Sequence, residues 1–264
     1  MSTICITGAG SGIGKATAFA LANKGHTVLA TTETEAQAES LRALVQEQSL
    51  ESTLSVWKLN VTDLEDRETL RDTHIDVMIH NAGVAFTGSL LDVPVSIIKN
   101  NFEVNLFAIL ELNKIILPPM IARKSGRVIA ISSIAGRIPL PFFGPYGMTK
   151  FALSTAMFDL RKELKAVDSG VHVSVVEPGA YHTGFNQQMV ESRREFMTPE
   201  SPFAASHEQR LEKDLKQFDF IEEKKLDSIV DAIVQAATVK NPRFRYSRPY
   251  IQAWGVRVLR MFGI

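Results

Sequence analysis

Tyr146 and Lys150 stand four residues apart, a spacing that on a helix puts both side chains on one face. An ammonium beside a phenol favours the phenolate and draws the hydroxyl down from its ordinary pKa of about 10. Such a tyrosine is a general acid/base for a substrate hydroxyl near neutral pH. Ser133 precedes Tyr146 by thirteen residues and follows the β-rich run Val128 to Ser132, where a strand end presents its hydroxyl to the same oxygen. Taken alone, Tyr-x-x-x-Lys is more often a surface pair than a catalytic one. Its meaning depends on the rest of the chain.

A second chemical signal lies in Thr7-Gly8-Ala9-Gly10-Ser11-Gly12-Ile13-Gly14, which follows an apolar run and opens a helical pattern. Glycines at this point let the backbone turn tightly and approach a pyrophosphate seated on the positive end of the helix. The competing phosphate loop requires glycine at position 9 and Ser or Thr at position 16; alanine occupies both, which disfavours nucleotide hydrolysis. At the end of the second predicted strand stand Thr32 and Glu33. An acidic side chain there accepts hydrogen bonds from an adenosine ribose and repels a 2′-phosphate, which leans the reading toward NAD, with NADP not excluded. A solvated glutamate opening the next helix is the alternative, and Lys15 is the cation that would favour NADP.

Other chemistries find little support. The six histidines show no H-x3-H or H-E-x-x-H spacing and the single Cys5 completes no zinc site, so no metal is expected. No serine stands in a G-x-S-x-G turn. His182 reads as a loop histidine held by a hydrogen bond, and Phe142 and Phe143 as packing beside the catalytic tyrosine.

The elements that position these residues alternate. Thr3–Thr7, Thr27–Thr31, Leu54–Asn60, Val77–His80, Val128–Ser132 and Val171–Val176 read as strands, and Arg243 to Tyr246 as a last one. Helical stretches such as Ile13–Asn23 and Glu35–Gln48 lie between them. This β-α-β-α pattern implies a parallel sheet with helices on both faces. Residues 184–226 break the alternation with a polar, helical segment. Residues 232–264 hold six basic side chains and no acidic one. Within 249–262, Ile251, Trp254, Val258 and Phe262 fall on one stripe with Met261 beside it, and Arg257 and Arg260 form a basic flank. Three surfaces suit that stripe, the pocket rim, a second subunit or a membrane interface, and with Gly255 making an isolated helix marginal, docking onto protein is expected.

The 264 residues carry 29 Lys+Arg against 29 Asp+Glu, and such a neutral chain lacks the basic excess that nucleic-acid binding needs. One cysteine permits no intrachain disulfide. The apolar region Val104 to Ala122 is interrupted by Glu111, Asn113 and Lys114, and Thr7 with its glycines follows too few apolar residues for a signal peptide. A cytoplasmic protein without membrane association is expected.

Taken together, Thr7 to Gly14, Asn81-Ala82-Gly83, Asn105, Ser133, Tyr146, Lys150 and Pro178-Gly179 resemble the shorter single-domain branch of the short-chain dehydrogenase/reductase family, over roughly residues 3 to 183. The resemblance implies one Rossmann-type domain over 1–264, an α/β doubly wound parallel sheet of strand order 3-2-1-4-5-6-7, with 184–226 as a helical substrate-loop insertion. It implies a nicotinamide cofactor, a secondary alcohol or carbonyl substrate, and a homodimer or homotetramer. Tyr146 would be the acid/base, Lys150 would hold the nicotinamide ribose, Ser133 would orient the substrate oxygen and Asn105 would support a proton relay. Gly8, Ser11, Gly12, Ile13 and Gly14 would cradle the pyrophosphate, and Pro178, Gly179 and Thr183 would contact the nicotinamide half. Departures from the family pattern fall at Asn60-Val61, commonly Asp-Val near the adenine, at His80 before Asn81, at Tyr181, and at Thr32-Glu33. The alternatives are a cofactor-binding regulator without turnover, or an epimerase or dehydratase on the same site.

Overall fold

Apolar residues occupy both faces of the central strands, which requires cover on both sides of a sheet. A computed structural model describes residues 1–262 and shows that cover. Strands β1 (Thr3–Ile6), β2 (Thr27–Thr32), β3 (Leu54–Lys58), β4 (Val77–His80), β5 (Gly126–Ile131), β6 (Val171–Pro178) and β7 (Arg245–Arg248) form one sheet in the order β3-β2-β1-β4-β5-β6-β7. Every neighbouring pair is parallel. The helices are α1 (Gly12–Asn23), α2 (Glu35–Glu47), α3 (Leu64–Glu68), α4 (Val95–Phe102), α5 (Ala108–Ala122), α6 (Gly144–Ala166), α7 (Phe185–Glu191), α8 (His207–Ile221), α9 (Asp227–Thr238) and α10 (Tyr250–Met261).

Period-two alternation sorts the strand residues between two cores. Ile4, Ile6 and Ile79 pack with Leu21 of α1 and Ile233 of α9. Cys5 and Met78 face the other way, against Leu112 of α5 and Met157 of α6. By length and composition Val95–Ala122 is apolar enough to cross a bilayer, with a mean hydropathy of 1.5. Its residues Leu112, Ile116 and Met120 are buried in that second core instead. A π-helical turn at Glu103–Phe107 joins α4 to α5.

Three local readings change. β3 stops at Lys58 rather than Asn60, where Lys58 pairs with Asp66 at 2.6 Å and the Asn60 amide donates to the same carboxylate. β7 spans Arg245–Arg248 rather than Arg243–Tyr246, because the Tyr246 hydroxyl accepts from the Arg243 amide while Arg245 and Ser247 reach the buried carboxylate of Glu177. The stripe of α10 is not buried on the chain's own surface: Ile251 is 86% exposed, Trp254 68% and Phe262 77%. The helix docks through its other side, with Ala253 and Val256 buried.

The turn between β1 and α1 is latched to the end of β4. The Asn81 side-chain amide donates to the carbonyls of Thr7 and Gly8 at 3.0 and 2.8 Å, and the Thr7 hydroxyl accepts from the amides of Asn81 and Ala82. Gly8 has φ +65°, and a Cβ there would lie 2.7 Å from the Ala82 Cα. Neither strain can be relieved by a side chain moving. Gly8→Ala is therefore expected to lower stability by about 1–3 kcal/mol. At Gly10 a Cβ would meet nothing nearer than 3.5 Å, so Gly10→Ala is expected to change stability by less than about 1 kcal/mol. Denaturant titration of the two purified variants checks the contrast, and equal melting would remove the role assigned to the latch.

Candidate active site

Strand β5 and helix α6 bring the three chemical side chains together. Ser133 follows β5 and caps a short turn at Ile134–Gly136, its hydroxyl accepting from the Ala135 amide at 3.1 Å. Gly136 lets that turn lie on α6, since a Cβ there would sit 2.7 Å from the Lys150 carbonyl oxygen. Lys150 turns its ammonium inward and donates to the Ile131 carbonyl at 3.0 Å, with Nζ 5.6 Å from the centre of the Tyr146 ring.

Both members of the pair are buried, and desolvation penalises their charged forms. It pushes the Tyr146 hydroxyl up to about 12, with a hydrogen bond to Ser133 pulling the other way. It lowers Lys150 to about 8. The expectation that the neighbouring ammonium depresses the tyrosine is thus reversed in the chain by itself. Burial dominates, and the ammonium turns one of its donors to the Ile131 carbonyl.

These residues line a cavity of about 1110 Å³ along the carboxyl ends of the strands. Gly8, Ser11, Gly12, Ile13, Gly14, Glu33, Asn60, Val61, Asn81, Ala82, Gly83, Pro178, Gly179 and Thr183 line it as well. Gly12 has φ +52° and faces Thr183, whose Cβ would lie 3.4 Å from an added one, so the loop after β6 closes onto the glycine turn. Two expected site residues lie elsewhere. Thr32 is buried, with its hydroxyl donating to the Thr34 carbonyl, which leaves the rim to Glu33. Asn105 is buried behind Gly83; it bonds both backbone groups of Val84 and donates to the Thr149 hydroxyl. Lys15 points away, into a smaller hollow shared with Phe19 and Leu44. His182 is absent from the main cavity and pairs with Glu222 at 2.8 Å, as a loop histidine should. Phe142 and Phe143 line the cavity as well as packing, edge-on to Phe203 and tilted against Phe218.

Several contributors escaped sequence reasoning. Asn101 is fully buried and bonds Phe86 and the Pro145 carbonyl, fixing the start of α6 just before Tyr146. Its spacing of four from Asn105 was the available signal. Arg193 joins Thr87 to Asp214 beneath the Phe143 ring and so ties the insertion to the rim. Gln252 of α10 accepts from the Ala180 amide at 2.8 Å and pins the Pro178-Gly179 loop. A glutamine in an apolar helix gives no such hint.

The model of the short chain dehydrogenase family matches residues 2–194. The chain is similar to the uncharacterized oxidoreductase YusZ of Bacillus subtilis (strain 168), 31% identical over 249 residues, covering 90% of this chain and 86% of that one. It is 33% identical over 200 residues to dehydrogenase/reductase SDR family member 7B of Rattus norvegicus, covering 72% of this chain and 61% of the rat protein. The chain thus spans under two thirds of that relative's length. In backbone it follows a short-chain dehydrogenase/reductase from Burkholderia phymatum solved with NAD, at TM-score 0.80, 20% identity and coverage of 97% and 92%. It also follows a short-chain dehydrogenase from Sphingobium yanoikuyae solved with NADPH, at TM-score 0.74, 24% identity and coverage of 100% and 96%. These two likenesses show the fold. Given the family match and a relative shared along nine-tenths of its length, the chain belongs to the short-chain dehydrogenase/reductase family.

Proposed function

We propose that the protein is an NAD(P)-dependent oxidoreductase that interconverts an apolar secondary alcohol and its carbonyl compound. The observation that carries this reading is the convergence of Ser133, Tyr146 and Lys150 on the same cavity as the glycine turn. The turn fits a dinucleotide by its own geometry. Gly14 lets the turn close against Asn81 and the Gly8 carbonyl, Gly12 adopts a positive φ, and Ser11 caps α1 without using its side chain, so the first amides remain free to bind. Glu33 stands at the cavity rim for a ribose, Asn60 and Val61 for the adenine, and Pro178, Gly179 and Thr183 for the nicotinamide half. Beyond Tyr146 an apolar wall of Phe143, Phe185, Met189 and Phe218 faces a polar side of Gln209, Arg210, Lys213 and Asp214, and the apolar wall supports an apolar substrate portion next to the reacting carbon.

When bound, a nicotinamide cofactor supplies or accepts the hydride. In this reading the Tyr146 hydroxyl gives its proton to the carbonyl oxygen during reduction and takes it back during oxidation. Ser133 donates to the same oxygen and holds it in place. Lys150 binds the nicotinamide ribose, and its charge there opposes the effect of burial on the phenol. Asn105 positions the start of this region through Val84 and Thr149. Self-association is part of the reading: Met148, Phe151 and Phe158 form an exposed apolar row on α6 suited to a second copy.

The Tyr146→Phe variant removes the titrating hydroxyl and keeps the ring. It should lose at least ~10²-fold in turnover while binding reduced cofactor as before. Activity near that of the parent in a spectrophotometric screen of alcohols and ketones would eliminate the mechanism. NADH should bind about ten- to a hundredfold more tightly than NADPH, because Glu33 meets the 2′-phosphate with like charge and Lys15 faces elsewhere. Fluorescence titration with both cofactors measures the ratio, and tighter NADPH binding would remove Glu33 from the ribose site. Lys150, at about 8, binds hydroxyls best as an ammonium, so affinity is full below that pH and lost as pH rises through it. The NADH dissociation constant should climb by up to about tenfold per pH unit above 8, a slope that Lys150→Met abolishes.

A further inference from the structure

We propose that α10 is a docking helix for anionic phospholipid membranes, lying flat in the interface. On its wheel Tyr250, Trp254, Val258, Ile251 and Met261 fall opposite Gln252, Ala253 and Val256, the side that packs on the protein. The apolar face therefore points straight away from the fold. Tyr250 is 69% exposed and Met261 76%, alongside the exposed Ile251 and Trp254. The end of α8 meets the docked side, where the Ile221 carbonyl accepts from the Gln252 side chain, and the neighbouring Phe220 is 90% exposed.

Charge selects the occupant. Arg257 lies on the flank between the docked side and the apolar face, where a long cationic side chain reaches phosphate while its stem stays in the apolar layer, and Arg260 follows, exposed, on the docked side at the helix end. Arg248 stacks on the Tyr250 ring at 3.8 Å, adding a third cation at the helix start. Residues 232–264 hold no acid to answer them. The nearby carboxylate of Glu177 is buried and held by Arg245 and Ser247. A second copy meeting this face across a two-fold axis would bring the same basic helix to it, with no acid in residues 232–264 to pair with its cations. A bilayer of anionic lipid satisfies both halves of the surface. Twelve residues rise only about 18 Å, so the helix lies on the membrane rather than crossing it. The inference does not rest on the proposed reaction.

Flotation of the full chain with vesicles tests it, using phosphatidylcholine alone and phosphatidylcholine mixed with phosphatidylglycerol. The chain should float with the mixed vesicles, bind the neutral ones at least about tenfold more weakly, and be released by high salt. Ile251→Asp/Trp254→Asp should abolish binding, and Arg257→Glu/Arg260→Glu should weaken it about tenfold or more, with unchanged thermal melting in both. Failure to float with mixed vesicles overturns the proposal. So does binding that survives Ile251→Asp/Trp254→Asp, or a dimer in sedimentation that this double variant dissolves, since the face would then belong to a second copy.

Discussion

The structure depends on taking a phenol and an ammonium out of water side by side. Neither group tolerates burial in its charged form, yet the chemistry proposed for the site needs both held still in a low-dielectric cleft. The fold meets the cost with backbone rather than with counter-charges. The Ile131 carbonyl, at the very end of a central strand, receives the Lys150 ammonium. The Ser132 hydroxyl donates to the Lys150 backbone carbonyl and pairs with Ser154, which holds α6 against the strand end. With no carboxylate in contact, the lysine keeps a pKa near the working range, and its charge remains available to whatever binds beside it.

From that constraint the surrounding architecture follows. Lys150 reaches Ile131 only if α6 lies close to the end of β5, and the missing Cβ of Gly136 permits the approach. The helix must also start at a set position, which Asn101 secures through the Pro145 carbonyl and Asn105 through Thr149. The π-helical turn carries Asn105 between α4 and α5 and offsets the register by which these two asparagines face α6. What looks like a catalytic triad in the sequence is, in physical terms, the cavity-facing end of a buried polar network.

How much of this was legible follows from what kind of interaction each part rests on. The strands and the parallel sheet were readable because period-two burial and turn glycines are local patterns, whereas the strand order followed from the resemblance. Thr32 was misplaced because it ends β2 with its side chain in the interior while Glu33 lies past the strand, and the sequence alone does not say which of the two meets the cavity. The tyrosine's acidity was misjudged because sequence shows the neighbouring charge and hides the burial. Asn101, Arg193 and Gln252 were missed since their partners lie 15 to 106 residues away, at Phe86, Thr87 and Ala180.

The fate of α10 shows the limit of amphipathicity as a signal. A hydrophobic stripe on a helix predicts that something apolar covers it, and the area rule gives that cover a strength. It does not say which side of the helix the protein itself will take. Here the polar Gln252 decides: its two hydrogen bonds, to Ala180 and Ile221, anchor the less apolar side and turn the stripe outward. Two directed bonds in a half-buried seam outrank a larger but non-directional preference, because leaving the Ala180 amide unpaired at the cavity wall would cost about 1–3 kcal/mol by itself. The same glutamine therefore shapes the cavity wall at Pro178-Gly179 and orients the face that looks away from it. Cavity wall and outer surface share one anchoring side chain.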